Sequence, residues 1–376
     1  MADRCLDTGG ALTALVRAGY AGQRWYQGQA EATGGLLIVE VATPEGAITV
    51  PVPQRDLMMT LGIGAVGSSV LPDLHRTTVA PEVVGELEKA LEGFRITGRV
   101  MQPAQLLDAL TGKVAVISAM RQKASPDLAA KLWITQARYA DFLSWMHEEA
   151  GDHTQAIWWI DRASEWAHAS RWAPMVAFAS VRKSAIATTH AADAHRTIDL
   201  AQGALHTPGA TSAVLRFAAA ELAYGHALAG DLRASRRALE LASSYYQKAA
   251  AHPEDELSFG PRVLDHDPVR RSWAYCTIFA GRGEPAIEVL APQMTAVKGA
   301  SLRAYAIHGA KLAHAYALAG HPDEVCRTLA EVLDTTAVIE SATARRELGR
   351  IRPVLESRWP RRSDMQDIAQ RLAILT

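Results

Sequence analysis

Small and apolar residues recur at three- and four-residue spacing along most of this chain, in short stretches separated by glycine-containing polar breaks. Leu222, Gly225, Leu228 and Ala229 share one helical face, Gly230-Asp231 interrupts it, and Ala234, Ala238, Leu241 and Ala242 continue a second stripe. Glycine accepts the left-handed backbone that ends a helix, and an aspartate after it can take hydrogen bonds from the N–H groups opening the next one. The pattern predicts two helices folded back on each other. Related units surround Ala150-Gly-Asp-His, Ala280-Gly-Arg-Gly-Glu and Ala319-Gly-His-Pro, with a weaker copy broken at His190-Ala-Ala-Asp. The breaks near 151, 191, 230, 281 and 320 lie roughly 40 residues apart, except for one long interval, and this is the period of helical-hairpin repeats. A single hairpin leaves one apolar side uncovered until a neighbour stacks on it, so the expected fold is mainly α, a helical-hairpin solenoid.

The N-terminal pattern differs. Residues 1–80 give a short amphipathic helix at Ala11–Gly19, an aromatic pair at Trp25 and Tyr26, and two β-branched runs, Leu36–Val41 and Ala47–Val52, joined through Pro44-Glu-Gly46. These runs predict a β-hairpin whose second strand is an edge, because Pro51 and Pro53 have no N–H to donate. Leu57–Leu71 reads as a buried or linker helix, too short and glycine-rich to span a bilayer. From 81 to 376 the pattern is helical. Val83, Leu87, Leu91 and Phe94 form one stripe; Pro103 opens a helix carrying Leu106, Leu110 and Val114; Ser125 is expected to cap the next, with Pro126 in its first turn. The long interval is an insertion at about 251–268, whose prolines and glycine prevent one continuous helix. A C-terminal helix is expected to cap the array.

Eight aromatic residues crowd the first hairpin: Trp133, Tyr139, Phe142, Trp145, Trp158, Trp159, Trp166 and Trp172. They are expected to form core between repeats, with one of the adjacent Trp158 and Trp159 facing a groove. Polar and aromatic positions on the first helices of the hairpins, namely Arg138, Arg182, His226, Tyr275 and Tyr305, together with Trp145, Trp159 and Phe259, are the expected ligand or partner contacts.

With 39 basic and 40 acidic residues the chain has no global field to attract nucleic acid or an anionic membrane. Cys5, Cys276 and Cys326 have neither metal-ligand nor disulfide spacing, which suggests a reducing cytoplasm. No phosphate loop, zinc-protease pair or hydrolase elbow occurs, and Gly62-Ile-Gly64 with Gly67 lacks the strand that a dinucleotide site needs. The insertion does carry His252, Glu254, Asp255, Glu256, Asp265, His266 and Asp267. From these, His252, Asp265, His266 and Asp267 supply an alternative reading as acid/base or metal chemistry. His147-Glu-Glu-Ala-Gly-Asp-His153 reads as helix-end chemistry with Asp152 as cap, and Arg345–Arg362 as a solvated basic face. No cofactor or metal is expected.

Arg55-Asp-Leu-Met-Met-Thr-Leu-Gly, Tyr139-Ala-Asp-Phe-Leu-Ser-Trp with Ala150-Gly-Asp, and Arg303-Ala-Tyr-Ala-Ile-His with His314-Ala-Tyr-Ala-Leu-Ala-Gly occur in an order that has a counterpart. Over about residues 54–355 the chain resembles the tetratricopeptide-repeat (TPR) sensor half of helix-turn-helix (XRE-type) regulators of actinomycetes. The resemblance implies a TPR-like solenoid acting as a regulatory sensor or adaptor for a peptide, a protein partner or a small-molecule signal, with homodimerisation as a further arrangement. The helix-turn-helix of those regulators has no counterpart here, and Cys5–Leu15 looks like the stretch that follows it. Direct DNA binding is therefore not expected from this chain, although a recognition domain upstream or in another chain would restore it. An enzyme on the same scaffold is the alternative in another class.

Overall fold

A computed structural model describes residues 36–43, 46–53, 79–252 and 267–375, and these residues are mainly helical. Two antiparallel strands, β1 (Leu36–Thr43) and β2 (Gly46–Pro53), pair with Leu36 opposite Pro53 and Thr43 opposite Gly46. The helices are α1 (Val83–Thr97), α2 (Ala104–Arg121), α3 (Pro126–Ala150), α4 (His153–Ala169), α5 (Ala173–Ile186), α6 (Ala194–Leu205), α7 (Ser212–Leu228) and α8 (Leu232–Ala251). After residue 267 come α9 (Pro268–Phe279), α10 (Glu284–Leu290), α11 (Met294–Ala300), α12 (Leu302–Ala319), α13 (Pro322–Ile339), α14 (Ala342–Gly349), α15 (Arg352–Arg358) and α16 (Ser363–Leu375). The helix and aromatic pair expected before residue 36, the Leu57–Leu71 helix and the middle of the insertion lie outside the described residues. None of the described helices is long and apolar enough to cross a membrane.

The hairpin turns follow from local chemistry. Gly151, Gly230, Gly281 and Gly320 have φ of 87°, 79°, 72° and 90°, and Ala192 takes the same left-handed conformation at 52°. At Gly151 and Gly230 the N–H groups of glycine and the following aspartate fold back onto carbonyls of the finished helix, Gly151 to Glu148 O and Asp152 to His147 O in the first case. Asp152, Asp193 and Asp231 then accept from the third N–H of the next helix, at 3.0, 3.0 and 2.9 Å, which satisfies one of the donors left open at each helix start. Ser125 forms no such side-chain bond; α3 starts on Pro126, whose missing N–H leaves one less donor to satisfy. The break at His190 is a π-helical turn, Ala187–Ala191, at the end of α5.

Helices α3/α4, α5/α6, α7/α8, α9/α10 and α12/α13 pack as successive hairpins. The first helix of each also packs on the first helix of its neighbour: α3 on α5, α5 on α7, α7 on α9, α9 on α12 and α12 on α14. Helix α14 then returns to α3, so six inner helices form a closed circuit of contacts. Small residues permit the close crossings. A Cβ at Gly283, where α10 begins, would lie 2.0 Å from the Ala315 carbonyl oxygen and 2.7 Å from Ala319 N, both backbone atoms of α12 that cannot rotate away. Gly283→Ala is expected to destabilise the fold by about 2–3 kcal/mol in urea denaturation, because α10 must lift from α12. An unchanged midpoint would contradict this crossing.

Among the crowded aromatics Tyr139, Phe142 and Trp159 are buried, and Trp145, Trp166 and Trp172 pack half-buried against the same core. Trp158 is 46% exposed and meets Trp159 edge-on, with ring centroids 4.7 Å apart.

Candidate functional site

The inner helices place charged side chains where a hydrophobic core would be expected to exclude them. On α3, Glu148 receives Arg182 Nη2 of α5 at 2.5 Å and lies 3.2 Å from Nε2 of His190 on the π-turn. A carboxylate only accepts, so His190 carries its proton on that nitrogen. Burial would raise the Glu148 carboxyl, but Arg182 and His190 outweigh it and hold the group down at about 2. Asp141, 3.9 Å from Arg182 Nε, is pushed up by burial despite the same guanidinium.

Across the circuit, Lys311 of α12 contacts Glu347 of α14 at 2.8 Å and sits over the rings of Tyr275 (4.6 Å) and Phe279 (5.5 Å) of α9. Arg350, just past α14, bonds Glu347 at 3.2 Å and donates to the carbonyls of Thr188 and Thr189 at 2.8 and 2.9 Å. Those carbonyls end a helical segment, where a cation is favoured. Burial pushes His308 down to about 3, helped by Arg271 and Lys311, and pushes His314 down to about 4 against the pull of Glu347. Both imidazoles are neutral at pH 7, and His308 Nδ1 pairs with the Tyr275 hydroxyl at 3.0 Å.

Glu221 of α7 links the two sides. Burial pushes its carboxyl up to about 8, over the opposing effects of Thr188, Arg182 and Lys311. Helix α7 stands between α5 and α9 in the circuit, and Glu221 reaches Thr188 of the π-turn. Thr188 Oγ1 lies 3.0 Å from the Ser184 carbonyl and 3.1 Å from both Glu221 Oε2 and Thr197 Oγ1.

The seam between the first and last inner helices is equally polar. Arg303 is 1% exposed and donates to Gly98 O (2.8 Å), Met101 O (2.5 Å) and Glu149 Oε2 (2.9 Å). Ser341 donates to the same Glu149 oxygen while accepting from Ala344 N, so it caps α14 and ties it to α3.

Of the residues expected to contact a ligand, Arg182 and Tyr275 belong to this interior, and Trp145 lies at the seam with its ring centroid 6.0 Å from the Arg303 guanidinium. Arg138 instead pairs with Glu88 of α1 at 2.7 Å, Trp159 is in the core, and His226 sits at the end of α7 beside the Gly230 turn. Tyr305 is buried and donates to Glu331 of α13 at 2.7 Å, toward its own hairpin partner. Phe259, Asp265 and His266 lie outside the described residues. His252 follows α8 as its C-cap, and Asp267 caps α9 by accepting from Arg270 N at 2.9 Å. Glu148, Glu149, Glu221, Lys311, Glu347 and Arg350 form most of the interior, although their sequence surroundings resemble those of surface charges.

Among the described residues no group of three or more His, Cys, Asp and Glu is placed to hold a metal ion. Burial pushes the Cys276 thiol up to about 12 and the Cys326 thiol up to about 11, which leaves both protonated and weakly nucleophilic at neutral pH. Among the terminal arginines, Arg352 pairs with Glu356 and Arg362 with Asp323 and Asp364. What the interior offers is a set of hydrogen-bond donors and acceptors from several helices around one centre. No protein-family model matches this sequence, and no curated protein is significantly similar to it.

Proposed function

We propose that this chain is a regulatory binding protein of tetratricopeptide type, an α-solenoid behind a small N-terminal segment with a β-hairpin, acting as a sensor or adaptor. Its ligand, a peptide, a segment of a protein partner or a small signal, is held by the inner helices. The observation that supports this reading is the convergence of Glu148, Arg182, Glu221, Tyr275, Lys311 and Glu347 from six different inner helices. Buried ion pairs are a poor source of stability compared with apolar residues of the same size. A preformed polar surface does serve recognition, because its groups lose little freedom when a ligand arrives. A regulatory role further agrees with the TPR-like order of the repeats.

Native mass spectrometry of protein purified gently from its own cell, repeated after denaturation, tests the reading. A retained mass that disappears on denaturation, and is reduced at least tenfold in Arg182→Gln and Tyr275→Ala proteins that remain folded, is the expected result. A clean apo mass, together with no thermal shift from a panel of peptides and metabolites, would overturn it.

A further inference from the structure

The circuit of inner helices closes at one place, where α14 meets α3, the α3–α4 turn and the π-turn. The approach is close: a Cβ at Gly151 would lie 3.6 Å from Ala342 Cβ. His153, two residues further on, stands ring against ring with His190, centroids 4.0 Å apart. Its Nδ1 is buried and has no hydrogen-bond partner among the described residues.

We propose that this seam is a gate in the ring, and that protonation of His153 opens it. In the closed state a second ring proton has no acceptor at Nδ1 and places a positive charge against the His190 ring. The groups facing His153 are mixed. Glu148 of α3 and Asp152 of the turn favour the proton, while burial, His190 of the π-turn and Arg346 of α14 oppose it and together prevail, holding the ring below its ordinary value. Further out, Glu148 is committed to Arg182 of α5 and to His190, Glu149 to Arg303 and Ser341, and Glu347 to Lys311 and Arg350. None of these carboxylates is spare to neutralise a new cation. Opening the seam lets water reach Nδ1 and returns the ring to an ordinary imidazole near pH 6.5. The sign follows: the open state takes up the proton first, so acid below about pH 6.5 favours opening. The gate as an entrance rests on the proposed interior site, whereas its opening is read with no ligand present.

Hydrogen–deuterium exchange of the full chain at pH 7.5 and 5.0, with labelling times scaled for intrinsic exchange, provides the test. Protection of α14 is expected to fall several-fold in acid, with α2 unchanged, and to stay constant in His153→Gln. His153→Phe, which keeps a ring against His190 but cannot take a proton, should behave as His153→Gln does and serves if the glutamine variant misfolds. Equal protection of α14 at both pH values, or an equal fall in wild type and variants, would overturn the proposal. Loss of interior binding at every pH with normal acid opening would instead count against the binding site alone.

Discussion

Arg303→Met is expected to lower stability by about 3–5 kcal/mol, as expected when one member of a buried ion pair is removed. The guanidinium is almost wholly enclosed, and it satisfies two backbone carbonyls of the α1–α2 connection as well as Glu149. Without it, Glu149 keeps only Ser341 as a donor among the described residues, so a carboxylate is left in a desolvated seam. The loss should therefore belong mainly to the orphaned charge. Glu149→Leu in the same chain removes that charge, and the double variant is expected to recover a large part of the stability. Urea denaturation of wild type, both single variants and the double gives the coupling energy directly. A single-variant loss below about 1 kcal/mol would mean that this pair does not hold the ring closed.

Glu221→Gln should change strongly how stability depends on pH. The folded carboxyl titrates at about 8, against an ordinary value of 4.5. Between those values the native protein holds a proton that the unfolded chain has released, so stability declines as pH rises from about 4.5 to 8 and then levels off. Glutamine is neutral throughout and its amide can still donate to Thr188. The variant is therefore expected to match wild type near pH 4.5 and to exceed it by roughly 3–5 kcal/mol at pH 8.5. The comparison cancels the titration of the histidines and the other carboxylates. Parallel stability curves for the two proteins would show that Glu221 is ionised in the fold and that the Thr188 hydroxyl points toward it.

Both predictions concern residues whose importance is not visible along the chain, and the reason is physical. A Gly-Asp break is a local instruction: Gly151 and Gly230 need a backbone that other residues resist, and Asp152 and Asp231 reach N–H groups three residues away. Such features are legible because cause and effect lie within one turn. Periodicity of small and apolar residues is legible for the same reason, and it determined the mainly helical fold and the positions of the hairpin turns. Arg182 and Tyr275 stand out as polar residues on first helices, but so do Arg138, His226 and Tyr305, which lie elsewhere, because helix order alone does not tell which face turns inward.

The interior depended on distant partners. Arg303 meets Glu149 across 154 residues, Ser341 meets Glu149 across 192, and Arg350 reaches the Thr188 carbonyl across 162. Nothing in the surroundings of Glu148, Glu221 or Lys311 separates a buried charge from a solvated one, because desolvation is created by neighbours that arrive from elsewhere in the chain. The sequence by itself determined the helices, their breaks and their caps, all set by interactions within a few residues. Only the tertiary structure decided that the first and last inner helices meet, and with that closure which charges are paired, which carboxyl keeps its proton and which histidine has its Nδ1 enclosed at the seam.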